Sequence, residues 1–226
     1  MMHAQALFLR RHAMPLLALL GILTACESPT ATRPTFAYDP TALTGGQLYR
    51  WASGSTIRVF IVPPPVGSAL DLVGATSVAV AQWNDLPLFR EFRLVSATSA
   101  AEANVVVMAR GATAPVAPST TCPFDARGSA GYTYFCPSAG RAARLSLTGT
   151  SGGAVSVLVS IEVGKAGTQA ALEALLVHEF GHVLGIGGHS LTPTDVMFGA
   201  PTVTAPSGRD AQTLQYLLGQ KPAILL

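Results

Sequence analysis

A nearly all-apolar stretch close to the carboxyl end limits how this chain can fold. Between Ala170 and Val177 only Glu173 is polar, and Thr168 is of a residue type that caps helices. These features predict a helix from residue 168 to about 184. Since a helix that is apolar nearly all round is buried, we expect it to pass through the middle of a domain.

The same predicted helix contains His178, Glu179 and His182 in the order His-Glu-Phe-Gly-His. Histidines four residues apart project from one face of a helix, about 5–6 Å apart, so both can bind one zinc ion. Glu179 is rotated by about 100° from His178, which places its carboxylate beside the metal as a base. Of the five histidines, His3 and His12 lie in a leader described below, and the fifth is His189. The mature chain therefore keeps all its histidines in one short region.

Residues 178–198 resemble the metzincin metalloproteases, and within them the matrixin group. The similarity covers His-Glu-Phe-Gly-His-Val-Leu-Gly, then His189-Ser190, then Asp195-Val196-Met197-Phe198. The resemblance implies a zinc ion held by His178, His182 and His189, with Glu179 as general base. It also implies that Met197 is the Met-turn methionine beneath the zinc site, the alternative being an ordinary core methionine.

The third histidine departs from the family pattern by one residue. The pattern places it six residues after the second histidine, whereas His189 is seven residues after His182. We expect Gly185 to end the helix with a positive φ and the following glycines to absorb the additional residue. A competing plan would use a downstream acid as the ligand. No Glu follows Glu179, so Asp195 is the nearby acid substitute.

The predicted elements indicate an α+β fold. We expect a metzincin-like domain with a twisted, mixed five-stranded sheet, a buried active-site helix, one further helix on the sheet and a C-terminal helix. The predicted strands are 56–62, 92–95, 104–108, 144–148 and 154–163, and the further helix is 70–86. Ser207 with Asp210 resembles a capping box that opens the C-terminal helix, 211–218. The strand 144–148 is the candidate edge for a substrate peptide. The resemblance to matrixins implies that Gly199 to Pro201 form a wall of the substrate pocket.

The amino-terminal region has the form of a bacterial lipoprotein leader. Arg10 and Arg11 precede a short apolar run, which is less than the roughly 20 residues needed to span a bilayer. Leu23-Thr24-Ala25-Cys26 resembles the lipobox, so Cys26 would carry the lipid. We predict a signal peptide at 1–25, Cys26 and a flexible tether at 26–45, and one domain at 46–226. In that domain the zinc-binding helix spans 168–185 and the Met-turn and C-terminal subdomain spans 189–226.

Cysteine usage fits an exported protein. With Cys26 used for lipid, Cys122 and Cys136 remain, and thiols oxidise in exported compartments. We therefore expect a disulfide between them, the alternative being a free, buried pair.

Charge excludes some partners. Charged residues make up 12% of the chain, and without Arg10 and Arg11 it has twelve basic and twelve acidic residues. A neutral chain without a basic cluster has no electrostatic footprint for nucleic acid. We expect a monomer at the bacterial cell envelope, on the periplasmic or cell-surface side, with membrane contact only through the lipid anchor.

The function expected from these residues is zinc-dependent hydrolysis of peptide bonds in a peptide or protein substrate. Two alternatives remain. One is a lipid-anchored zinc-binding or adhesion module without turnover, for which a carboxylate at position 179 has no use. The other is hydrolysis of a cell-wall peptide, which no feature of the sequence separates from protein cleavage.

Overall fold

The centre of the fold is a mixed five-stranded sheet. The structure, a computed structural model, describes residues 35–86, 91–112, 128–135, 137–138, 141–142 and 155–226. The strands are β1 Tyr49–Arg50, β2 Ser55–Ile61, β3 Phe92–Ser96, β4 Val105–Ala109, β5 Gly131–Phe135, β6 Pro137–Ser138, β7 Arg141–Ala142, β8 Val157–Ile161 and β9 Ile224–Leu225. The helices are α1 Leu72–Asn84, α2 Val163–Ala166, α3 Gln169–Val183 and α4 Gly208–Leu218, with a 3-10 turn at Ala100–Glu102.

The large sheet has the order β3-β2-β4-β8-β5. Its first four strands are parallel, and β5 pairs antiparallel with β8. The short strands form a second sheet of order β1-β9-β7-β6. The prediction of an α+β fold with a mixed five-stranded sheet is thus confirmed at the level of architecture.

Strand β4 shows how the large sheet separates two groups of apolar side chains. All five residues of β4 are buried. Val105 and Val107 belong to the main core, while Val106 and Met108 belong to a second cluster. Because successive side chains of a strand point to opposite faces, the two clusters lie on opposite faces of the sheet. The strand predicted at 104–108 is β4, one residue later than expected, and its continuous apolar sequence is covered on both faces.

Helices α1 and α3 pack against each other over the main core. Trp83 of α1 is fully buried, and its indole Nε1–H donates to the carbonyl oxygen of Val177 at 2.8 Å. Helix α3 is buried along most of its length, as its all-round apolar sequence predicts.

Strand β5 is the main element that the sequence analysis missed. It falls in a segment rich in Gly, Pro and Ser that reads as a loop between the two cysteines. Its hydrogen-bonding partner β8 lies more than twenty residues further along the chain. No local sequence pattern therefore predicts that the two strands pair. The strand predicted at 144–148 lies outside the described residues.

The last part of the predicted tether is packed on the domain. Tyr38 is 8% exposed, and its hydroxyl donates to Asp210 Oδ1 of α4 at 2.7 Å. The backbone N–H of Ala37 donates to Thr213 Oγ1 of the same helix at 3.2 Å. Residues 35–45 therefore belong to the domain that was expected to begin at 46, because an aromatic side chain among the prolines and threonines finds a buried partner in α4.

The predicted leader, the lipidation site Cys26 and the cysteine pair Cys122 and Cys136 lie outside the described residues. Within the described ranges, none of the helices has both the length and the apolar character that crossing a membrane requires.

Candidate metal centre

Helix α3 carries two of the three clustered histidines, and its two ends are fixed by capping interactions. Thr168 is the N-cap, and its Oγ1 accepts from the N–H of Ala171 at 3.1 Å. At the other end Gly185 has φ 104°. Its N–H donates to His182 O, and the N–H of Ile186 donates to Gly181 O. This is a Schellman motif, which ends the helix directly after His182 and turns the chain back.

The three predicted ligands come together in space. His178, His182 and His189 each offer a ring nitrogen, and these atoms lie within 4.8 Å of one another. His182 Nε2 and His189 Nε2 are 3.2 Å apart. Two ligand nitrogens on a tetrahedral zinc ion at about 2.0–2.1 Å would be separated by roughly 3.3 Å. The one-residue departure in spacing does not keep His189 away from the other two histidines.

Backbone carbonyls orient two of the imidazoles for metal binding. His178 Nδ1 lies 2.8 Å from Val196 O, and His182 Nδ1 lies 2.5 Å from Ile186 O. A carbonyl can only accept, so each Nδ1 carries the proton and each Nε2 keeps its lone pair for a metal. Metal-bound histidines in proteins characteristically show this arrangement. The donor set therefore fits a metal ion such as zinc.

The surroundings keep these histidines in the neutral form that binds metal. Burial lowers the pKa of His178 to about 4. Burial, together with the neighbouring His178, lowers the pKa of His182 well below its usual value. The pKa of His189 is also lowered by burial, although its ring reaches the solvent-exposed side of the group. Because metal ligation needs neutral imidazole, protons compete weakly for this site near neutral pH.

Glu179 lies beside the histidines with its carboxylate buried. Glu179 is 3% exposed. Burial raises the pKa of its carboxyl group to about 7, and the hydrogen bond from Thr133 lowers this pKa by a smaller amount. Thr133 Oγ1 of β5 donates to Glu179 Oε2 at 2.6 Å. A Cβ at Gly131 would lie 2.4 Å from Glu179 Oε1. Strand β5 thus fixes one carboxylate oxygen and leaves room for the other.

Thr133 and Gly131 are site residues that the sequence analysis did not identify. Thr133 is 46 residues from Glu179 in the chain, and both β5 residues lie in a segment that reads as a loop. The available signal was the alternation of aromatic residues with Thr133 in Gly131–Phe135, which is typical of a strand.

Met197 packs against helix α3 at Gly181. It is fully buried, and a Cβ at Gly181 would lie 2.1 Å from its sulfur atom. Gly181 lies between His178 and His182 in the sequence of α3, so the methionine packs on the part of the helix that carries both histidines. Asp210 holds the turn that contains Met197, because its Oδ2 accepts from the N–H of Val196 at 2.9 Å. The capping box predicted for Ser207 and Asp210 is confirmed.

Asp195 has a structural environment, and it is not part of the histidine group. Its carboxylate accepts hydrogen bonds from the hydroxyls of Ser190 and Ser207 and from Nε of Arg209. The carboxylate is fully buried. Because both oxygens are bonded to these donors, Asp195 stabilises the loop after His189. The geometry does not favour the alternative in which Asp195 is the third metal ligand.

We expect Asp195→Asn to destabilise the protein by about 2–3 kcal/mol at pH 7. Burial alone would raise the pKa of Asp195, but the hydrogen bonds from Ser190, Ser207 and Arg209 outweigh it and hold the pKa below its usual value. A lowered pKa means that the stability is present above the usual carboxyl pKa and is lost as pH falls.

Urea unfolding of parent and variant between pH 7 and pH 3 checks this prediction. The difference should shrink on acidification, and Asp85→Asn, which changes an exposed carboxylate, should stay within about 0.5 kcal/mol of the parent throughout. A pH-independent difference for Asp195→Asn would contradict the assignment.

A cavity of about 710 Å³ opens over the histidines. Its wall includes all three histidines, Glu179, the whole of β5 and Gly199 to Pro201. Apolar side chains of Tyr49, Phe135 and Leu175 also line it. The segment predicted as a pocket wall therefore borders the same cavity as the histidine group.

A scan of the chain against protein-family models finds no match, and a search of curated proteins finds no similar sequence. The fold and the site define a mixed α/β protein with a three-histidine group that could hold a metal ion. The assignment of chemistry therefore depends on the geometry of the site itself.

Proposed function

We propose that this protein is a zinc-dependent endopeptidase of the metzincin type, similar to matrixins. The observation that carries the proposal is the placement of three neutral histidines and one buried carboxylate around a single cavity. A site that only stores metal has no need of a base next to the ligands. Strand β5, which fixes that base, supports the same conclusion.

Zinc, when bound, acts as a Lewis acid that makes water acidic near neutral pH and polarises a substrate carbonyl. Glu179 Oε1, the oxygen not bonded to Thr133, is the atom that would accept the proton from water. The same carboxylic acid would then deliver the proton to the leaving amine. In the metal-free site, burial raises the pKa of Glu179 to about 7, so the carboxylate and its conjugate acid are both accessible near neutral pH.

The substrate would lie along β5. Among the described strands, β5 is the last of the large sheet on the side of α3, and it lines the cavity. An extended peptide can add to such an edge through main-chain hydrogen bonds, with its side chains in adjacent pockets. We therefore propose β5 as the substrate-binding edge, whereas the sequence suggested 144–148, a segment outside the described residues. We also propose that Cys26 attaches the protein to the bacterial envelope. Its accessible substrates would then be peptides and proteins outside the cytoplasm.

Metal-dependent cleavage of a mixed, partly unfolded protein pool tests this function. We expect the chain that follows Cys26 to generate new amino termini when loaded with zinc. A chelator should stop the reaction and added zinc should restore it. One bound zinc ion per chain without any cleavage would overturn the endopeptidase and favour the binding module, and cleavage confined to cell-wall peptides would favour the narrower hydrolase.

Replacement of Thr133 should impair the base without removing it. In Thr133→Val the hydrogen bond to Glu179 Oε2 is lost, and the pKa of Glu179 should rise, because that bond favours the charged form. We expect the acidic limb of the pH profile of kcat/KM to move to higher pH, with activity at pH 7 about tenfold lower. Thr133→Ser keeps the donor and should retain the parent profile. An unchanged profile in Thr133→Val would show that β5 does not act on the carboxylate.

A further inference from the structure

The loop between His182 and His189 is held from outside by the beginning of the domain. We call residues 39–47 the amino-terminal strap. The N–H of Gly187 donates to Pro40 O at 2.7 Å, and the N–H of Leu43 donates to Gly187 O at 2.7 Å. Both backbone groups of one loop residue are therefore bonded to the strap. Gly187 lies in the stretch where this chain has one residue more than the matrixin pattern.

The loop lies so close to the strap that a side chain at Gly187 or Gly188 would collide with it. A Cβ at Gly188 would lie 1.9 Å from Asp39 O, and a Cβ at Gly187 would lie 2.3 Å from Thr44 Cγ2. Real Cβ atoms do not come this close to other atoms. Neither residue has a positive φ, so the backbone conformation does not itself require glycine. Glycine is needed at both positions because the strap leaves no space for a side chain.

The strap has a defined conformation of its own. Asp39 Oδ1 accepts from both the N–H and the hydroxyl of Thr41, at 2.8 and 2.7 Å. Thr44 Oγ1 donates to Thr41 O and Gln47 O, at 3.0 and 2.6 Å. These bonds close a tight turn. At its start the strap is fixed by Tyr38, which bonds to the same Asp210 that holds the turn behind His178.

We propose that the amino-terminal strap is a positioning element for the third metal ligand. It fixes the lengthened loop at Gly187 and Gly188, so that His189 Nε2 stands 3.2 Å from His182 Nε2. Leu43 and Thr44 also line the cavity, and the strap therefore forms one wall of the cavity that contains the ligands. This inference rests on the metal-binding part of the proposed function and is independent of peptide hydrolysis.

Glycine substitutions in the full-length protein test the strap directly. Gly188→Ala places a methyl group against the backbone of Asp39, whereas Gly164→Ala in α2 meets nothing within 4 Å and is the matched control. Zinc affinity is measured by competition with a chelator, and the visible spectrum of the Co²⁺-loaded protein reports the ligand geometry. We expect Gly188→Ala to weaken zinc binding by about 10- to 100-fold and to change the Co²⁺ spectrum, and Gly164→Ala to change neither.

If Gly188→Ala does not fold, two variants at Asp39 test the role of the strap instead. Asp39 is exposed, so Asp39→Ala loosens the strap turn without opening the core. Asp39→Ala should lower zinc affinity by about two- to tenfold. Asp39→Asn keeps an acceptor oxygen and should bind zinc with the affinity of the parent. Parent-like zinc affinity and Co²⁺ spectra in folded Gly188→Ala and in Asp39→Ala would overturn the strap inference alone. A parent protein that binds no zinc would overturn the proposed function and this inference with it.

Discussion

Replacement of His189 by alanine is expected to weaken zinc binding by more than about 100-fold. Loss of an outer-shell partner of a metal ligand already costs about 10- to 100-fold, and this change removes a ligand itself. Two imidazoles on α3 would remain, with water in place of the third. Competition with a chelator of known affinity measures the change.

Asp195→Asn is the matched control for this prediction, because Asp195 is the other side chain that the sequence allows as a third ligand. Its carboxylate is bonded to Ser190, Ser207 and Arg209 and supports the loop after His189, so we expect zinc affinity to fall by less than about tenfold, far less than in His189→Ala. Strong loss in Asp195→Asn together with retention in His189→Ala would show that the ligand set is the competing one.

Replacement of Glu179 by glutamine is expected to lower kcat/KM by about 10²- to 10⁴-fold while zinc stays bound. Glutamine has nearly the same shape, and its amide oxygen can still accept the hydrogen bond from Thr133 Oγ1. What is lost is the ability to accept a proton from water. Steady-state kinetics on one cleaved peptide, with zinc content determined on the same samples, measures the effect. Full activity in Glu179→Gln would remove the general base from the mechanism.

The same variant has a stability signature that does not depend on catalysis. Burial raises the folded pKa of Glu179 to about 7, so its ionisation destabilises the metal-free fold. The lowered pKa values of the three histidines raise the stability of both metal-free proteins as pH rises over this range. Relative to Glu179→Gln, which has no ionisation at position 179, the parent should therefore lose stability between the usual glutamate pKa and about 7. Parallel pH dependences of the two metal-free proteins would contradict the buried position of the carboxylate.

The parts of the fold that could be predicted are those where local pattern and burial agree. The helix predicted at 168–184 is α3, Gln169–Val183, because apolar residues all round it and the cap at Thr168 point to the same structure. The same holds for the capping box at Ser207, where both partners lie within one turn. The four-residue spacing on α3 also predicts that His178 and His182 share one helix face, because this depends only on helix geometry.

The parts that could not be predicted depend on contacts between distant segments. The pairing of β5 with β8 and the bond from Thr133 to Glu179 join residues that no local pattern connects. The composition of residues 35–45 suggests a tether, and only the burial of Tyr38 against Asp210 shows otherwise. The position of His189 likewise depends on a loop whose shape is set from outside the loop, by Pro40 and Leu43.

We propose that His178, His182 and His189 hold one zinc ion beside Glu179. The X-ray absorption spectrum at the zinc edge, recorded on protein loaded with one zinc ion per chain, reports the ligand atoms themselves. We expect three imidazole nitrogens and one further light atom at about 2.0–2.1 Å. A sulfur shell at about 2.3 Å, which would place the metal at Cys122 and Cys136, or fewer than three imidazoles, would show that the three histidines are not the ligand set.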